Sequence, residues 1–195
     1  MDELNRSLTR KKIEHWKEKN AKQPGPGVLK RHNLIADIVK KYYPNVNAKI
    51  MDIGGREGFL CDALKRKGYK DFYIIDISQE AINFARERGY SGEVKDAENI
   101  GSLNRKFDII IASHIIEHSK NPKKIIDGCY NILNEGGVIF IEVPRQKKEK
   151  VPTKYGHWYL FSDKKELMEL FDDSRWKLLF THEAPIRAVY RKKII

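Results

Sequence analysis

Ile50-Met51-Asp52-Ile53-Gly54-Gly55-Arg56-Glu57-Gly58-Phe59 is the stretch that decides how this chain folds. The apolar residues before Gly54 read as a buried strand, the glycines as a tight turn, and the residues after Gly58 as a helix start. A second apolar run, Phe72-Tyr73-Ile74-Ile75-Asp76, ends in an acid. A glycine turn lets backbone N–H groups approach a ligand that a Cβ would block. The helix behind it presents unpaired N–H groups and the positive end of its dipole. A carboxylate at the tip of the neighbouring strand can grip the two hydroxyls of a ribose. Strand, glycine turn, helix, strand and acid in so short a span point to a nucleoside-cofactor site.

A dinucleotide fingerprint would be Gly-x-Gly-x-x-Gly, and the glycines at 54, 55 and 58 do not have that spacing. The pattern Asp-x-Gly-x-x-x-Gly instead resembles the first motif of class I S-adenosylmethionine (SAM) methyltransferases, with Arg56 standing at the middle glycine of the family pattern. Arg56 either narrows the cofactor pocket or contacts the methionine carboxylate. Val94-Lys95-Asp96-Ala97-Glu98-Asn99 resembles the third-strand motif, and Phe107 to His118 the fourth strand with the loop that lines the methyl-transfer site. Leu133 to Pro144 resembles the turn and fifth strand, and His157-Trp158-Tyr159-Leu160-Phe161-Ser162 is similar to a segment of the small-molecule methyltransferases related to the ubiquinone-biosynthesis type.

That resemblance implies a set of roles. Asp52, Gly54, Gly55 and Gly58 form the cofactor loop, with Gly54 and Gly58 approached by the methionine part. Asp76 takes the ribose hydroxyls, Ile77 packs on the adenine, and Asp96 takes the adenine amine beside the Ala97 N–H. Ser113 and His114 lie next to the sulfonium. Each piece also has an ordinary reading: Asp76, followed by Ser78, reads equally as a helix cap. Their occurrence together, in the family's order, favours the cofactor site.

His114, Glu117 and His118 stand in an i, i+3, i+4 relation and share one side if the segment turns helically. With His157 they offer two kinds of chemistry. A histidine titrates near neutrality, so His114 or His157 suits a general base. Two or three histidines with a carboxylate also suit a divalent cation. The latter resembles the small-RNA 2′-O-methyltransferases, with His114 in place of the first Glu of their run. Glu-His after the fourth strand also occurs in family members without a metal, and the plainer reading is that Glu117 and His118 make loop hydrogen bonds. Tyr155, Trp158, Tyr159 and Phe161 read as a lid, as core, or as a stacking surface. His32 and His182 read as structural.

Composition narrows the classes. The 195 residues suit one domain with a core of its own. No apolar run reaches the ~18 residues of a membrane span, and the charged N-terminus lacks a signal peptide's apolar stretch, so a cytoplasmic protein is expected. Cys61 and Cys129 are isolated and read as reduced thiols. The formal charge is +11, with a balance of +5 over residues 1–31 and +4 over residues 145–154. Such a surface attracts nucleic acid, phosphorylated metabolites or acidic membranes, or is simply a solvated Lys-rich exterior. The run from Arg145 to Lys154 follows the fifth strand, on the sheet edge where ligands bind.

Residues 3–20 read as an amphipathic helix that Pro24-Gly25-Pro26-Gly27 breaks, and residues 28–42 as a second helix. Strands are expected near 49–53, 72–76, 92–95, 107–112 and 137–143, and helices near 57–67, 79–89, 122–134 and 163–172. Trp176 to Ala184 and Ile186 to Lys192 read as two strands joined at Pro185, hence antiparallel. The expected fold is α/β: a Rossmann-like, seven-stranded, mostly parallel sheet with an antiparallel last strand, helices on both faces, a basic cap over 1–27 and the methyltransferase domain over 28–195. The expected activity is methyl transfer from SAM to an oxygen or nitrogen nucleophile of a small molecule that can carry negative charge. The alternatives are an RNA methyltransferase using the basic surface and a SAM-binding partner subunit without catalysis. The sequence does not give the acceptor or the oligomeric state.

Overall fold

The computed structural model describes residues 24–194. The helix expected over 3–20 lies outside the described residues. Pro26 begins the first described helix. Helix α1 (Pro26–Tyr42) carries it at the first turn, where its missing N–H costs nothing. Then follow β1 (Lys49–Ile53), α2 (Phe59–Arg66), β2 (Asp71–Asp76), α3 (Gln79–Glu87), β3 (Ser91–Val94), a 3-10 turn (Ala97–Ser102) and β4 (Phe107–Ser113). A second 3-10 turn (Ile116–His118), α4 (Pro122–Ile132), β5 (Leu133–Val143), α5 (Lys164–Met168), β6 (Trp176–Glu183) and β7 (Ile186–Lys192) complete the order.

The seven strands form one sheet in the order β3-β2-β1-β4-β5-β7-β6. β1 to β5 pair in parallel, and β7 runs antiparallel to both β5 and β6. The central strands are buried on both faces: Ile109, Ile110, Ile111 and Ala112 are all inaccessible. That is why they read as continuous apolar runs rather than alternating ones. One apolar cluster packs α4, α5 and the aromatic side chains of Phe171, Trp176 and Tyr190 on one face. A second packs α1, α2 and α3 on the other.

Two boundaries differ from expectation. The fourth helix stops at Ile132, and β5 starts at Leu133 and runs through Gly136 and Gly137. The register with β4 shifts between Phe107 and Ile109, so these glycines lie in an irregular stretch of strand rather than a helix cap. A Cβ on Gly137 would lie 2.9 Å from the Asp108 and Asn134 carbonyl oxygens. The last helix is also short, covering Lys164–Met168 of the expected 163–172.

Candidate active site

The order reverses at β1, so the connections leaving β1 and β4 go to opposite faces of the sheet, and a crevice opens between them. A cavity of about 860 Å³ lies over this edge. The glycine loop forms its floor. Gly54 and Gly58 take φ of +67° and +80°, and Arg56 takes +48°, a backbone that residues with a Cβ rarely adopt. Arg56 thus keeps a glycine-like backbone where the family pattern has glycine, while its side chain stays exposed.

The glycines are dictated by the chain's own packing. A Cβ on Gly54 would fall 1.9 Å from Ile115 Cδ1, and one on Gly55 2.7 Å from Asp52 Oδ2. Ile115 therefore closes over the loop and ties the segment after β4 to the turn after β1. Gly58 plays a different part. It caps α2 in the left-handed conformation, with the Tyr90 ring where a Cβ would go. It does not line the cavity. Asp52, Gly54, Gly55, Asp76, Ile77, Asp96, Ala97 and Ser113 do line it.

The carboxylate at the end of β2 is held by the chain's own N–H groups. Asp76 Oδ2 accepts from the Arg56 N–H (3.2 Å) and Oδ1 from the Ser78 N–H (2.9 Å). The cap of α3 is Ser78, whose Oγ accepts from the Ala81 N–H at 3.1 Å. Asp96 caps the first 3-10 turn through one oxygen, accepting from the Glu98 N–H at 2.8 Å. Ile77 is 76% exposed, an apolar side chain that the described residues leave largely uncovered. Asp52 sits beneath the loop, buried. Its burial, with the Asp76 charge adding to it, raises its carboxyl to a pKa of about 7, against the hydrogen bond from Cys61.

At the other end stands a chain of charges. His114 has φ of +56°, and its N–H donates to the Glu142 carbonyl at 2.8 Å. Its ring is clamped on both sides: Nδ1 lies 3.2 Å from Glu117 Oε1 and Nε2 3.2 Å from Glu142 Oε1. Burial works to lower its pKa, but the hydrogen bonds to Glu117 and Glu142 outweigh it and raise the pKa to about 9. His114 is therefore an imidazolium at neutral pH and has no free lone pair. With both ring nitrogens facing carboxylates, it serves as a hydrogen-bond donor in this structure. Glu142 is fully buried. Burial pushes its carboxyl up, yet His114 and Arg187 hold it below the usual range. Arg31 of α1 approaches the same Oε1 at 3.7 Å and lines the cavity.

His157 differs in every respect. Its Nδ1 lies 2.8 Å from the Gln146 side-chain oxygen, so Nδ1 donates and Nε2 keeps its lone pair. Burial lowers its pKa. It is not on the cavity wall; its ring stands 4.7 Å from that of His118, which is. Potential ligand atoms of Glu117, His118 and His157 all lie within 4.8 Å of one another. Three of the four residues expected for a cation site thus come together, and His114 does not join them. Glu117 Oε2 is buried without a hydrogen-bond partner among the described residues.

The sequence reading did not find Arg31, Glu142 or Arg187. Glu142 lies inside an apolar strand whose periodicity marks it only as buried.

A methyltransferase-domain model matches residues 29–184. The chain belongs to the methyltransferase-domain family. A ubiquinone biosynthesis O-methyltransferase of Xylella fastidiosa is 30% identical over 112 residues, covering 54% of this chain and 45% of that protein. One of Coxiella burnetii is 26% identical over 147 residues, covering 70% and 62%. The chain thus spans about half to under two thirds of the length of these methyltransferase relatives. Among solved structures, the N-methyltransferase NodS of Bradyrhizobium japonicum is similar with a TM-score of 0.66 at 16% identity, over 88% of this chain and 99% of that one. The cyclase SpnF is similar with a TM-score of 0.69 at 14% identity, over 84% and 81%. These likenesses show the fold, and SpnF marks that the methyltransferase fold also carries other chemistry.

Proposed function

We propose that the chain transfers the methyl group of SAM to an oxygen or nitrogen nucleophile of a small, anionic molecule. The observation that carries this reading is the pairing of two walls in one cavity: the acids Asp76 and Asp96 at one end, His114 and His118 at the other. The residues fit the cofactor. Asp76 retains acceptor capacity for ribose hydroxyls, the exposed face of Ile77 suits an adenine ring, and Arg31 offers a cation to the methionine carboxylate.

SAM supplies a methyl group already activated by a positive sulfur. The protein's share is alignment, worth roughly 7–11 kcal/mol in well-oriented reactions. His114, fixed by two carboxylates, forms the wall beside the acceptor. An acceptor that extends from the cavity past His118 meets His157, whose unprotonated Nε2 receives its proton. The two buried free thiols suit a cytoplasmic protein, and no helix among the described residues is long and apolar enough to cross a membrane.

Calorimetry with S-adenosylhomocysteine tests the cofactor, and transfer of label from methyl-labelled SAM to a panel of anionic hydroxyl and amine compounds tests the reaction. Binding together with His157→Ala losing turnover at unchanged cofactor affinity supports the reading. Absence of binding removes it.

A second reading rests on the unpartnered Glu117 Oε2. With His118 and His157 it would seat a divalent cation, which would orient an acceptor oxygen. Activity untouched by a chelator sinks that reading and leaves the first standing.

A further inference from the structure

The loop after β5 is unexplained by the cavity it borders. Its residues from Thr153 to His157 are closed on themselves: the Thr153 N–H donates to the His157 carbonyl at 3.0 Å, and the Gly156 N–H to the Thr153 carbonyl at 2.9 Å. The loop is docked at the mouth, where the Trp158 N–H donates to the Glu117 carbonyl at 2.8 Å and His118 Nδ1 meets the Gly156 carbonyl at 3.1 Å. A loop so fixed nevertheless leaves its large apolar groups outside: Val151, Tyr155 and Trp158 are 40%, 66% and 39% exposed. Lysines stand among them. Lys150 and Lys154 are exposed, and Lys120 reaches across from the segment after β4. Glu149 is the one acid between residues 145 and 160.

Apolar and aromatic tips ringed by lysines, with Glu149 the one acid in the segment, fit two anionic partners: a single-stranded nucleic acid or a lipid surface. Two observations choose between them. Lys120 Nζ sits 4.1 Å from the centre of the Trp158 ring and Lys154 Nζ 5.1 Å from that of Tyr155, so ammonium groups occupy ring faces that a stacked base would take. Val151 is aliphatic and offers no stacking face, but it suits the acyl boundary, where tyrosine and tryptophan also settle at headgroup level.

We infer that the 150–158 loop, with Lys120, is a docking surface for an anionic membrane interface, which sets the cavity mouth against the lipid. Docking of this kind is peripheral and needs no spanning helix. It goes beyond the methyl-transfer reading, and its test uses no cofactor.

The full chain is sedimented with vesicles of phosphatidylcholine alone and of phosphatidylcholine with about one third phosphatidylglycerol. Binding is expected to the anionic vesicles, weakening as salt is raised. The double variant Val151→Asp/Tyr155→Asp alters only exposed side chains, and it should lose about tenfold in vesicle affinity while its Tm and circular dichroism hold. Lys150→Glu/Lys154→Glu should lose a similar factor. Lys40→Glu/Lys41→Glu, at the end of α1 away from the mouth, should lose much less. Equal losses for both charge pairs, or full binding by Val151→Asp/Tyr155→Asp, would overturn the inference. So would an oligouridine that binds through this loop while the vesicles do not.

Discussion

Glu142 and Arg187 face each other as register partners across the antiparallel β5–β7 pair, and the carboxylate between them is the point on which Arg31, Ser113 and His114 also converge. Both side chains are buried. An ion pair out of water is tolerable while complete, and costly once one partner is removed. Glu142→Gln should therefore cost about 3 kcal/mol of stability in urea unfolding, and the double change Glu142→Gln/Arg187→Met should cost less than the single one. A single-variant loss under about 1 kcal/mol would show that Arg187 finds another partner.

His114 binds a proton more tightly in the folded chain than in the unfolded one, with a pKa of about 9 against 6.5. Its contribution is complete below pH 6.5 and lost as the pH rises through about 9. Wild-type Tm should fall over that interval, and His114→Gln should flatten the slope there. An identical slope in the variant would place the titration on another group.

Asp52 behaves with the same sign in a lower window. Its folded pKa of about 7 exceeds 3.8, so folding favours the protonated acid, and stability drains away as the pH rises from 3.8 through 7. Asp52→Asn keeps the shape without the charge, and its Tm relative to wild type should be higher at pH 8 than at pH 4. A constant difference between the two pH values would contradict a buried neutral carboxyl.

The contact between Gly54 and Ile115 predicts a pair of variants. Gly54→Ala places a Cβ against Ile115 on a backbone with positive φ, costing about 1–3 kcal/mol for overpacking and a further ~1 kcal/mol for the conformation. Adding Ile115→Ala should recover the first part and not the second. Calorimetric and thermal data on the four chains separate the two; no recovery would mean the backbone term dominates.

Asp76→Ala should weaken S-adenosylhomocysteine binding by about 10- to 100-fold, the worth of a charged hydrogen bond or more. Unchanged affinity would remove Asp76 from the cofactor site.

Much of this was legible in the sequence. Strand runs such as Phe107 to Ala112 are buried on both faces, so hydrophobicity alone marks them, and the Pro185 turn fixed the antiparallel end. Gly136 and Gly137 read as the turn before a strand from 137 because glycine marks turns and irregular strands alike; only the register against β4 separates the two. The proposed cofactor residues stood out because they cluster within short motifs on successive strand ends. Arg31, Glu142 and Arg187 did not, because they come from three separate elements and meet only when β7 inserts beside β5. The protonation of His114 was hidden for the same reason: its second carboxylate, Glu142, belongs to the next strand of the sheet and comes within reach only once β4 and β5 pair.

Ile115 resting on Gly54 makes the two walls of the cavity a single mechanical part. Anyone altering residues 113–118 would shift the glycine loop at the same stroke. The 150–158 loop joins that segment through hydrogen bonds that stop at Glu117 and His118, so changes at its tips leave the glycine loop in place.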